Sequence, residues 1–226
     1  MTNYINNIII ETKKGREIKK HRDVFMWNAY DIMVETLEFA RSKGIVFDES
    51  EYSDFLLLYS GRLYKSNQMK KAKEIEKLLE GLQHSHHSIL YLSGAACEIL
   101  NLAEKHSNDK YSEFFKNAAV YAGIAYANEL KAQNVSNAAE KVLAATVKLS
   151  SQLSEKNFSK YGYIHCYALL EQARNLASYY CETKNFDDKE KALNCYKLIE
   201  PYIQKLDNQE LTDIYYYETN FFYMYN

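Results

Sequence analysis

One proline and seven glycines in 226 residues are too few for a chain built of many strands and tight turns, because each turn usually draws on one of those two residues. Long helices joined by short polar connections need few. No apolar run, Phe55 to Tyr59 included, exceeds five residues, which excludes a membrane-spanning helix. The opening MTNYINNIII has no basic stretch ahead of its short apolar segment, so no secretory signal is expected and the cytoplasm is the expected location. Net charge is only -2; no global field draws in nucleic acid or an anionic membrane. Cys97, Cys166, Cys181 and Cys195 lie far apart with no CxxC pair, and reduced thiols within helical cores are expected.

Chemistry-bearing motifs are also missing. The chain has no G-x-S-x-G, no G-x4-G-K-[ST] and no G-x-G-x-x-G, so no serine nucleophile elbow, phosphate loop or dinucleotide cofactor site is expected. No cofactor is expected at all.

Helical periodicity is abundant. Met26, Tyr30, Met33, Leu37 and Ala40 step by four and three, one stripe of a helix that stops at Gly44. The same stepping recurs in four further stripes, beginning at Ile89, Ala138, Cys166 and Ala192. Between the stripes lie clusters of capping and turn residues, at Asp48, Ser66-Asn67, Ser107 to Asp109, Asn134 to Ser136, Asn157 to Ser159, Lys184 to Asp188, and Asp207-Asn208. The fold class is therefore all-α, with about nine or ten helices whose short connections make neighbours antiparallel. The arrangement expected is a stack of hairpins as an α-α superhelix, or an irregular helical bundle. Residues 1–226 read as one domain. The apolar pattern lapses at Gly81 to Ser88, so residues 1–80 can form a sub-bundle beside repeat-like hairpins over 88–226.

From Ala127 the chain resembles a tetratricopeptide repeat, a helical hairpin of about 34 residues. Ala127 and Ala139 take the small positions of the two helices, Leu130 and Leu143 the large ones, and Asn134 the turn. A second copy runs through Leu176, Ala177 and Tyr180 to Ala192, Tyr196 and Ile199, with an insertion at Asp187 and Asp188. A third, Gly61 and Tyr64 with Ala72, is one residue out of register. The family's tryptophan position is unmatched, and Pro201 comes early. The resemblance covers about half the chain and implies a concave groove, lined by the first helix of each pair, that binds a peptide or protein segment. Asn128, Lys131, Arg174 and Ser178 would face that groove and hold a peptide's polar groups; the plainer reading makes them solvated helix positions.

Four other groupings invite interpretation. Lys13, Lys14, Arg16, Lys19, Lys20, His21 and Arg22 form a basic run diluted by Glu11 and Glu17 and without interleaved aromatics, the pattern of a solvated helix face rather than of a nucleic-acid site. Within it, Arg16 and His21 have an R-x4-H spacing similar to the motif of HEPN-type helical ribonucleases, although Glu17 departs from that pattern. The resemblance implies an RNA-directed alternative in which the histidine serves as acid–base and the arginine holds phosphate. Glu80, His84, His86 and His87 cluster near the lapse in pattern without a second set of ligands; an exposed polar hinge is expected there rather than a metal. Finally, Tyr215, Tyr216, Tyr217, Phe221, Phe222, Tyr223 and Tyr225 point nearly all round one last helix. Tyr215, Tyr216, Phe221, Phe222 and Tyr225 are therefore expected at an interface, in a homodimer or against a protein partner.

Together these residues suggest a non-enzymatic, cytoplasmic protein- or peptide-binding module with a regulatory or assembly role.

Overall fold

The computed structural model describes the backbone of residues 2–82 and 91–225, and the side chains of 15–82, 92–220, 222 and 223. Among the described residues there are nine α-helices and no strand: α1 (Thr2–Ser42), α2 (Glu49–Lys65), α3 (Met69–Leu78), α4 (Tyr91–Lys105), α5 (Ser112–Ala132), α6 (Ser136–Lys156), α7 (Phe158–Thr183), α8 (Phe186–Leu206) and α9 (Gln209–Tyr225). None is long and apolar enough to cross a membrane.

The helices stop where local chemistry tells them to. Gly44, Asn67 and Asn134 each take a left-handed conformation, at φ 65°, 59° and 61°. In each case the following amide reaches back a full turn, Ile45 to Ala40 O at 2.9 Å, Gln68 to Leu63 O at 2.9 Å and Val135 to Leu130 O at 2.9 Å. These are Schellman closures, which satisfy carbonyls left open at a helix end and which glycine and asparagine adopt most cheaply. At the starts, Asp48 accepts from the Ser50 amide at 2.9 Å, Asn185 from Asp187 at 3.0 Å and Asn208 from Leu211 at 2.9 Å, occupying amides that have no partner within the helix.

Consecutive helices from α4 to α8 pack on one another in turn, and α2 packs on both α3 and α4. Contacts also skip one element: α5 touches α7, and α7 touches α9. The result is a layer of α5, α7 and α9 backed by α6 and α8. Small residues set the spacing. A methyl group on Gly123 of α5 would sit 2.2 Å from Thr146 Oγ1 of α6, and that hydroxyl is tied to Val142 O at 2.8 Å, so only glycine permits this approach.

A single cluster of buried apolar side chains runs from Phe25 in α1 to Phe222 in α9, with a small satellite of Ala127, Leu130, Ala139 and Leu143 between α5 and α6. Not all the cysteines join it. Cys166 and Cys195 are buried as expected, but Cys97 and Cys181 are exposed, because each falls a residue past the buried stripe of its helix.

Candidate functional site

The feature that organises the α5, α7 and α9 layer is α1, which is 41 residues long and lies across it. The helix runs antiparallel to α5, with Phe39 against Phe115 near the start of α5 and Met26 near Asn128 towards its end. Phe25 stacks between Tyr121 of α5 and Tyr167 of α7, at centroid distances of 5.4 and 3.7 Å. Further towards its amino end α1 reaches α9. His21 Nδ1 contacts the Glu210 carboxylate, and Tyr163 Oη lies 3.4 Å from His21 Nε2. A methyl on Gly15 would be 3.6 Å from Tyr217 Oη.

Next to Phe25 is a network of buried charge. Glu171 of α7, with a side chain only 1 % exposed, meets Arg174 one turn along, Arg22 Nε of α1 at 3.4 Å and Lys131 Nζ of α5 at 3.6 Å. Arg174 also donates through Nε to Glu218 of α9 at 2.7 Å, and Arg22 donates to Asn128 Oδ1 at 2.8 Å. Burial pushes the Glu171 carboxyl up, but Arg174, Arg22 and Lys131 together outweigh it and hold the group at about 2. Burial lowers the Lys131 ammonium against the pull of Glu171. Three helices, α1, α5 and α7, are thus joined through one carboxylate, which stays ionised, and Arg174 extends the network to α9.

Three clefts open beside α1. One of about 430 Å³ is lined by Lys131, Arg174 and Ser178 with Tyr196 and Phe222. A second, of about 460 Å³, lies between α1 and α9 and includes His21, Glu210 and Asp213. The third, of about 580 Å³, is bordered by Trp27, Arg62, Asn128 and Glu129. Three of the four expected groove residues therefore meet in one cleft, while Asn128 borders another. All lie within the range of small-ligand sites, yet their walls carry polar groups already paired within the chain.

The remaining candidates fall as follows. Arg16 is exposed, whereas His21 is 12 % exposed and engaged; five residues turn them roughly 140° apart around the helix. His84, His86 and His87, and the side chains of Lys13, Lys14, Phe221 and Tyr225, lie outside the described residues. Among the described residues no group of three or more His, Cys, Asp or Glu side chains is placed to hold a metal. Tyr215 and Phe222, expected at an interface, are instead 5 % and 4 % exposed, packed against Tyr196. They are taken into the chain's own core because α8 supplies the aromatic cover. Tyr216 and Tyr223 remain exposed.

Sequence reasoning passed over Phe25, Glu171 and Glu218, and placed Arg22 in a solvated basic run, whereas it meets Glu171 and Asn128. A signal for Glu171 was present, since it precedes Arg174 by three residues and Ser178 by seven, on the same helix face. It also passed over a buried pair, Ser150 Oγ and His165 Nδ1 at 2.9 Å. Burial holds His165 below its ordinary value, and Ser150 is also bonded to Val147 O at 2.9 Å. This neutral, enclosed pair ties α6 to α7.

No family model, no curated protein and no solved structure matches the chain.

Proposed function

We propose that the chain is a non-enzymatic, tetratricopeptide-like module of helical hairpins that binds a protein or peptide segment on the face built by α5, α7 and α9, in a regulatory or assembly role within the cytoplasm. One observation carries this reading: the face already holds a helix. It receives α1 through an aromatic slot between Tyr121 and Tyr167 and through a charge anchor at Glu171, the combination by which grooves recognise amphipathic helices. The cleft of Lys131, Arg174 and Ser178 adds polar groups that orient a bound segment, and its apolar walls at Tyr196 and Phe222 add area. Self-association through Tyr216 and Tyr223, exposed on α9, belongs to the same proposal.

An RNA-directed role through Arg16 and His21 gains no comparable support, since those side chains stand on different sides of α1 and His21 is engaged with Glu210.

Native mass spectrometry of the untagged protein purified from its host tests the proposal. A co-purifying peptide or protein that is lost from a Lys131→Gln, Ser178→Glu variant is the expected result. A bare chain, or one carrying RNA fragments, would overturn the reading in favour of Arg16 and His21.

A further inference from the structure

The two halves of α1 are held in different ways. The helix packs against α5, α2 and α4, and in its carboxyl-terminal part Ala29, Met33, Leu37 and Ala40 are each 0 % exposed. Towards α7 and α9 the helix is reached by side chains. Residues 15–25 offer Ile18, Arg22 and Phe25 at i, i+4 and i+7, the spacing with which an amphipathic helix fills a groove. Ile18 borders an open cleft on each side, about 460 Å³ towards α9 and about 430 Å³ towards α7. Val24 remains 48 % exposed, and Glu210, though paired with His21, keeps a side chain 65 % exposed. This half of the helix lies on its face without filling it.

Charge is matched across the contact. The face presents the carboxylates Glu171, Glu210, Asp213 and Glu218 against the cations Lys131 and Arg174. Of the charged residues in 15–25, Lys20 and Arg22 border the same clefts, against Glu17 alone. An acid excess faces a basic excess.

We infer that the surface of α7 and α9 beneath residues 15–25 is a docking face for a separate basic amphipathic helix, and that α1 covers this face until such a helix displaces residues 15–25. The inference rests on the binding-module reading and narrows it to one class of partner: a helix with an apolar residue, a cation four positions later and an aromatic three beyond that. The cation is required because Glu171 is enclosed and ionised; a helix without it would leave that carboxylate with less compensation. The aromatic is required by the slot between Tyr121 and Tyr167. Residues 26–42 stay in place as the hinge and anchor.

The test uses a fluorescein-labelled peptide of residues 10–28 as the probe, read by anisotropy against the full chain and against an Ile18→Glu, Arg22→Glu variant of it. The variant is expected to bind the probe at least about tenfold more tightly than the unaltered chain, because its own covering segment no longer competes. A probe carrying Arg22→Glu and Phe25→Ala is expected to bind neither. Equal binding by both chains, or equal binding of both probes, would overturn the inference.

Hydrogen exchange on the unaltered chain is independent of any folding defect in the variant. Amides of residues 15–25 are expected to exchange about tenfold or more faster than those of 26–42; equal protection overturns displacement. If protection is equal while a partner still co-purifies with the chain, the displaceable segment is wrong and the binding module stands. A native mass of two chains, with each α1 seated on its neighbour, would also overturn the assignment, replacing the separate helix with a second copy.

Discussion

Residues 26–42 and residues 15–25 belong to one continuous helix, yet the first supply a full stripe of core side chains while the second supply only Phe25 to the core cluster. Met33 and Leu37 are completely enclosed, whereas Ile18 is half-buried between two clefts and Arg22 keeps a side chain 39 % exposed. Helix formation alone does not decide how firmly a segment is held. Tertiary burial does, since an isolated helix is marginal and gains most of its stability from packing of its apolar face.

The largest expected effect is in the core half. Leu37→Ala should destabilise the protein by about 4 kcal/mol, through lost apolar contact and the cavity left behind, as read from the midpoint of urea unfolding. Removing the anchor of the other half comes next. Glu171→Gln should cost about 3 kcal/mol, because Arg22, Lys131 and Arg174 lose the carboxylate that compensates their burial, and residues 15–25 should lose hydrogen-exchange protection while 26–42 keep theirs. If both halves open together, the distinction between them is wrong.

Acid should separate the same contributions. His165 is held below its ordinary value of 6.5, so the unfolded chain takes up a proton there that the folded one refuses. Stability from this source is full above pH 6.5 and declines below it. Glu171 is held at about 2 against an ordinary 4.5; its contribution is present above pH 4.5 and declines as pH falls towards 2. Chemical denaturation at a series of pH values should show two stages, the upper one absent from His165→Gln and the lower one reduced in Glu171→Gln, the remainder coming from Glu113, which Lys160 and Tyr161 hold down to about 2. The smallest effect is expected from Ile18→Ala, about 1 kcal/mol or less, with no change in the protection of residues 26–42. A loss as large as that of Leu37→Ala would place residues 15–25 in the core.

Much of the fold was legible locally. The capping residues at Asp48, Asn67, Asn134, Asn157, Asn185 and Asn208 stand at helix ends in the structure, because a cap depends on residues within one turn of itself. The stripe from Met26 to Ala40 contains Tyr30, Met33, Leu37 and Ala40 of the core. The candidate site was legible only in part. Lys131, Arg174 and Ser178 do border one cleft, since their spacing along α5 and α7 orients them alike. That α1 covers this face was not legible, because Arg22 and Glu171 are separated by most of the chain and no local period links them. The burial of Tyr215 and Phe222 was missed for the same reason: their cover comes from Tyr196 on another helix.

The amino-acid sequence by itself determined that this chain is helical, where most of its helices stop, and an apolar stripe in five of them, because those properties depend on interactions within a few residues. Only the tertiary structure decided that one helix lies across three others, that four charged side chains from α1, α5, α7 and α9 gather with Glu171 in one network, and that residues 15–25 and 26–42 of α1 are held so differently. Those outcomes depend on the shapes of distant surfaces and on the low dielectric they create together, which no single segment carries.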